Sequence, residues 1–216
     1  MASANPTNSV RGEDIFQSFQ AFQARMKELE QTLNAREALA TVEFINDYTK
    51  TQNYRESLKK LPQEKLIESI AQYSRSHPGH SPKYHALNEA TIVLLSAYLE
   101  GFIEELHEKA MHQLLDERIK SSGVLVLLDY AHKHFSNPAP DKIIDLFNTC
   151  GIRDIISCLK IADKGKITEF VRIRNRIAHG ERVYVAGQEV ETWVKLIERF
   201  AEELSSVVRE EISSMR

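Results

Sequence analysis

An arginine, an asparagine and a histidine fall close together late in the chain, in the stretch Phe170-Val171-Arg172-Ile173-Arg174-Asn175-Arg176-Ile177-Ala178-His179-Gly180. A histidine side chain, with an ordinary pKa of about 6.5, can give or take a proton at cellular pH. An arginine can clamp a phosphate and stabilise the charge that grows on it. Arg174 and His179 together therefore suit metal-independent RNA cleavage, in which the 2′-hydroxyl attacks the adjacent phosphate. DNA lacks that hydroxyl and should resist. Asn175 is placed either to bond the phosphate or to orient His179, and Arg176 and Arg172 to hold the RNA backbone. The sequence contains no metal-ligand cluster, glycine-rich phosphate loop or serine-nucleophile context, so neither metal nor cofactor is expected.

The element that must carry these groups is a helix. At 100° per residue, Phe170, Ile173 and Ile177 share one face, while Asn175 and His179 lie one turn apart on another. Gly180 supplies a residue that tolerates the left-handed conformation after a helix, which puts His179 in the last turn, beside free carbonyls. Arg174 points about 40° from Phe170, so its guanidinium is expected to be partly buried and to need a partner. Each residue also has a plain structural reading: Arg174 as a packing ion pair, His179 as a helix cap.

A second ionic group faces the same difficulty. From Tyr84 to about Arg118 the chain reads as one long helix, apolar nearly all round between Leu87 and Ile103, as the centre of a bundle would be. Ser96, Glu100, Ile103 and His107 form one stripe on it, with Val93 and Met111 alongside. A charge-assisted pair between Glu100 and Arg174, supported by Ser96, would satisfy both ions. The alternative is that Glu100 emerges where the helix leaves the core.

Arg174-Asn175, three residues and His179 resemble the Arg-polar-x-x-x-His signature of the HEPN superfamily, and the flanking Ile177-Ala178-His179-Gly180 is similar as well. Leu94-Leu95-Ser96-Ala97-Tyr98-Leu99-Glu100-Gly101-Phe102-Ile103-Glu104 resembles the first core helix of its RiboL-PSP-like branch. The resemblance covers roughly residues 83–213. It implies an all-α, HEPN-like helical bundle (83–216); outside the resemblance, small and polar residues make 1–12 a disordered leader and apolar spacing makes 13–76 an N-terminal helical extension. It also implies an endoribonuclease acting through Arg174, His179 and Asn175, in a homodimer whose two motifs line one groove. Many such enzymes are toxins or anti-phage effectors, which makes an antitoxin or defence-system partner part of the expectation. Other HEPN domains bind ligands or proteins without cutting, so a non-catalytic module is the competing class.

The remainder of the chain fits a helical scaffold. Its 216 residues are 42% hydrophobic and 27% charged, with only 8 Gly and 6 Pro, the composition of a globular protein with a sizeable core. Net charge is −3, which argues against indiscriminate coating of nucleic acid. Between Gly151 and Val185, however, eight Lys and Arg face four Asp and Glu, a local excess of four positives. Either a phosphate-attracting surface or a solvated helical face explains it.

Cys150 and Cys158 make no disulfide framework and read as buried thiols in a reducing compartment. No apolar leader opens the chain and the longest apolar run is expected to fall far short of a membrane span, so cytoplasm is expected. Phe16, Phe19, Met26, Leu29 and Leu33 form an N-terminal seam that wants a partner, on this chain or another. Further helices are expected from Phe44 to Leu61, Pro62 to Ser76, Val124 to Phe135, Asp141 to Thr149 and Ile152 to Ile161. Ala162–Lys166 reads as a loop into the motif helix, Val183–Val185 as a short extended piece, and Val190 to Val208 as a final amphipathic helix containing a core Trp193. The histidines of His77-Pro78-Gly79-His80-Ser81-Pro82 read as parts of a plain loop, and His132 and His134 as structurally bland.

Overall fold

In a computed structural model of the protein, the residues described are 15–31, 33, 82–114, 123–135, 137–153, 155–159 and 164–215. They form seven helices and, among them, no strand. The helices are α1 (residues 15–31), α2 (Pro82–Leu114), α3 (Gly123–His134), α4 (Pro140–Asn148), α5 (Ile155–Cys158), α6 (Lys164–Ala178) and α7 (Gly187–Ser214). The expected leader, the helices at 44–61 and 62–76 and the loop at 77–81 lie outside the described residues, as do 115–118 of the long helix.

The all-round apolar character of α2 has the consequence read from it. Ile92, Leu95, Leu99, Phe102, Ile103 and Leu106 are all buried, and α3, α4, α6 and α7 pack around it. At 1.5 Å per residue this helix is about 50 Å long, enough to run the length of the bundle. Residues 86–114 also reach the length and hydropathy of a membrane span, so the expectation that no run does so is corrected. Burial accounts for this composition, since a helix surrounded by others must be apolar on several sides. The second long helix, α7, lays Val190, Val194, Ile197, Phe200, Ala201, Leu204 and Val208 into the same core as one stripe. Trp193 joins them, tilted against Phe170 with ring centroids 5.7 Å apart.

The N-terminal seam packs on its own bundle. Phe22 lies 4.9 Å from Phe102, centroid to centroid, and Ser18 Oγ donates to Glu105 Oε1 at 3.0 Å. Phe16 is not part of this seam: it is 51% exposed, while Ile15 and Phe22 are buried. The stripe Ile15, Phe19, Phe22, Met26, Leu29 and Leu33 advances in steps of three and four, and Phe16 stands 100° off it.

Shorter elements differ at their edges. Asn137 Oδ1 accepts the Ala139 N–H (3.0 Å) and Pro140 opens α4, a turn that needs no helical donor at its first position. Of the helix expected over Ile152–Ile161, the described residues contain the four of α5, with Ile152, Arg153 and Leu159 outside it; residues 154, 160 and 161 lie outside the described ones. The motif helix begins at Lys164, inside the stretch expected to be loop, and takes in Gly165. Tertiary burial of Ile167 and Phe170 outweighs the weak helix preference of that glycine.

Candidate functional site

Helix α6 is held by Ile167, Phe170, Val171 and Ile173, which are buried, and by Ile177, partly buried beside them. This fixes its rotation and puts Arg174 at the edge of the core, with 23% of its side chain exposed. Its guanidinium meets α2 there. Nη2 lies 3.2 Å from Glu100 Oε1, and Nη1 donates to Asn175 Oδ1 at 3.1 Å. Ser96, one turn before Glu100 and fully buried, donates its Oγ–H to the same carboxylate oxygen at 3.4 Å. The ion pair expected between two charges in apolar sectors is therefore present.

The electrostatics of the pair are a contest. Burial pushes the Glu100 carboxyl above its usual range, while Arg174 and Ser96 pull it back and the nearby Glu104 raises it again. Desolvation wins, so this carboxylate is held less firmly than an isolated Arg–Glu pair would suggest. The arginine has unused capacity as well: each terminal nitrogen still carries a hydrogen beyond the one it gives away, and Nε is buried without a partner.

His179 occupies the other end of the motif in a different environment. Gly180 takes φ 79°, its N–H donates to the Ile177 carbonyl at 2.9 Å, and the Glu181 N–H reaches the Arg176 carbonyl at 3.0 Å. These two bonds are a Schellman ending, and they make His179 the capping residue, with its own N–H on the Asn175 carbonyl at 3.0 Å. Its side chain is exposed. The slot between the third-last and the second following residue, often an apolar contact, is here an ion pair: Arg176 Nε donates to Glu181 Oε2 at 2.7 Å. Arg172 is exposed, with a long 3.9 Å contact to Glu169.

The motif residues are thus brought together in two groups. Arg174, Asn175, Glu100 and Ser96 form one connected network, whereas His179 stands apart from it at the helix end. The histidine stands five positions after the arginine, about 140° around the axis and about 7.5 Å along it.

Sequence reasoning overlooked two features. The segment after Gly180 is pinned to α2: Glu89 Oε1 accepts the Val183 N–H at 3.1 Å, and Asn88 Nδ2 donates to the Val185 carbonyl at 2.8 Å. Burial alternates along it, with Val183 and Val185 inside, Arg182 and Tyr184 outside. The alternating Val-Tyr-Val was the available signal, but nothing in the sequence named its partners.

The other feature is a polar chain that joins α2, α3 and the residue capping α4, running from half-buried His132 through buried His107 to exposed Thr149. His107 Nδ1 lies 3.3 Å from His132 Nε2, and His107 Nε2 lies 2.8 Å from Thr149 Oγ1. Thr149 gives its only proton to the Leu146 carbonyl at 2.6 Å, so it accepts from His107 Nε2–H. His107 Nδ1 must then accept from His132. His132, expected to be bland rather than metal-binding, thus has a structural partner in His107. Burial, then His132, lowers the pKa of His107 to about 4. Next to this chain the thiol of Cys150, partly buried, donates to the Phe147 carbonyl at 3.1 Å, and burial raises its pKa to about 11, which keeps it unreactive. The side chain of Cys158 lies outside what is described. Among the described residues no three His, Cys, Asp or Glu converge as metal ligands.

Residues 127–210 match the RiboL-PSP-HEPN family. The match runs from α3 into α7 and contains the whole Arg174–His179 stretch, whereas α2, with Ser96 and Glu100, precedes it. No curated protein and no solved structure matches the chain.

Proposed function

We propose, from a chain that belongs to the HEPN superfamily in its RiboL-PSP branch through residues 127–210, that this protein is a metal-independent endoribonuclease cutting RNA by 2′-hydroxyl transesterification. One observation carries the reading: the exposed His179 imidazole at a rigid helix cap, on the same helix as an arginine braced by Glu100 and Asn175. An anchored guanidinium loses little freedom when a phosphate oxygen takes its spare hydrogens. His179 is the proton carrier. Asn175 aligns Arg174 through its side chain and receives the His179 N–H through its carbonyl, which ties the two together. Glu100 and Ser96 act as positioning groups, and Arg172 and Arg176 as backbone contacts.

Transesterification needs a base for the 2′-hydroxyl and an acid for the leaving 5′-oxygen. One imidazole cannot occupy both positions at once, and Arg174 lies on a different side of α6. A homodimer presenting two such motifs to one groove supplies both histidines, and we include it in the proposal, together with a cytoplasmic role as a toxin or anti-phage effector under the control of a partner protein.

The opposing class, a non-catalytic module that binds a ligand or a protein, is favoured by one observation: Arg174 already has two acceptors. The two readings separate on incubation of the full chain with labelled single-stranded RNA and a chelator. Cleavage with 2′,3′-cyclic phosphate ends is expected, lost in both His179→Ala and Arg174→Ala with helical content unchanged. Undiminished cleavage in either variant would refute the assignment.

A further inference from the structure

Arg176 and Glu181 are joined twice across the end of α6. The Glu181 N–H reaches the Arg176 carbonyl at 3.0 Å, and Arg176 Nε donates to Glu181 Oε2 at 2.7 Å. The chain between the two residues is Ile177-Ala178-His179-Gly180, so this double tie closes around His179. Arg176 is also the motif arginine on the histidine's side of the helix. It stands three positions before His179, about 60° around the axis and about 4.5 Å along it, against about 140° for Arg174. Side chains at that spacing on a helix surface are neighbours.

The atoms that make the pair decide what it leaves open. Glu181 takes the Nε–H, and among the described residues neither terminal nitrogen of Arg176 makes a hydrogen bond. An ion pair whose side chains are 46% and 54% exposed adds little to stability, because water screens it and two long side chains must be held still. What it supplies is direction. A guanidinium fixed through Nε keeps its Nη1 and Nη2 end free for the two parallel N–H bonds that a phosphate accepts.

We propose that Glu181 is a positioning residue of this site: it aims the Arg176 guanidinium at the RNA phosphate on which His179 of the same chain acts. Arg176 touches the reacting group, and Glu181 acts through it. The inference rests on the ribonuclease reading and deepens it, adding Glu181 and assigning Arg176 to the phosphate at the cut. Glu181 carries the same sign of charge as RNA, so it cannot help by attraction. Its removal therefore leaves binding unchanged or tighter while the cut slows, a split that a residue serving affinity alone would not give.

The test uses the full chain and one oligoribonucleotide, made with ordinary phosphate or with either diastereomer of a single phosphorothioate at the cut. Glu181→Ala is expected to lower kcat on the order of tenfold. Glu181→Gln, whose side-chain carbonyl still accepts from Nε, should stay within about threefold of wild type. Binding, read by anisotropy in the inactive His179→Ala background, should be no weaker in either variant. Adding Glu181→Ala to Arg176→Ala should cost nothing further. One phosphorothioate diastereomer should slow the wild type, and that slowing should vanish in Arg176→Ala and shrink in Glu181→Ala. Both positions are half exposed, and thermal melts verify that the variants stay folded. A wild-type kcat in Glu181→Ala overturns the positioning role and leaves the ribonuclease reading standing. So do weaker binding, or a phosphorothioate effect that is absent from the wild type or undiminished in Glu181→Ala, which would make Glu181 a support of the helix cap alone. A wild type that does not cut the ordinary strand overturns both.

Discussion

Unfolding hands His107 a proton that the folded bundle withholds. Its ring is fully buried, its Nδ1 accepts from His132 and its pKa is about 4 in the fold, against 6.5 for a free side chain. The unfolded chain therefore binds more protons than the native one between these values, and stability rises with pH across that window. This contribution is fully present above about pH 6.5 and is lost as pH falls towards 4. The difference of about 2.5 units corresponds to about 3 kcal/mol, as a ceiling that any opening around the ring would lower. Carboxyl groups complicate the raw curve. Glu100 and Glu198, both raised by burial, contribute with opposite sign, favouring the fold as they protonate, so only a difference isolates the histidine. Urea unfolding of the wild type and His107→Gln should be compared from pH 7.5 to 4.5. The variant is expected to be less stable at neutral pH and to have the shallower dependence, so that the two curves converge towards acid. A gap between them independent of pH, or a His107 proton titrating near 6.5 by nuclear magnetic resonance, would refute the buried-acceptor account.

Two further outcomes follow from the site. Glu100→Gln removes the anion beside Arg174 but keeps the shape; because burial already favours the neutral carboxyl, it is expected to change stability by less than about 1 kcal/mol. It should lower kcat more than it raises KM, since the arginine is left to wander; a denaturant titration and steady-state kinetics on labelled RNA measure the two effects. Gly180→Ala forces a Cβ into a left-handed residue at φ 79°, where no neighbour crowds it, so the cost is the backbone strain alone, about 1–2 kcal/mol. Its signature is faster amide hydrogen exchange at Gly180 and Glu181 and reduced cleavage; unchanged exchange would mean that the cap contributes nothing to holding His179.

Much of this architecture was visible in the residue pattern, for reasons that can be traced. The centre of the bundle was legible because a helix apolar on every side has nowhere else to go. Arg174 and Glu100 could be paired on paper because each was an ion in an apolar sector, and electroneutrality leaves few solutions. The cap could be placed from Gly180. Phe16 was misjudged because spacings of three and seven, read without Ile15 and Phe22, select a face one residue out of register. The chain from His132 through His107 to Thr149 stayed hidden for a different reason. Its members lie on α2, α3 and the residue capping α4, and only the packing of these helices brings their polar atoms into line. The clamps on Val183 and Val185 likewise join residues 94 and 97 positions apart, which no local pattern encodes.

The position of α2 separates two kinds of unit that are easily confused. The stretch that matches the RiboL-PSP-HEPN family starts at residue 127, yet the faces of α6 and α7 that lie within it close on a helix that ends before it starts. Resemblance marks out one segment, and side-chain packing ties a further helix to it. A fragment trimmed to the matched segment would leave Phe170 and Phe200 without α2 beside them, and Arg174 without its counter-charge.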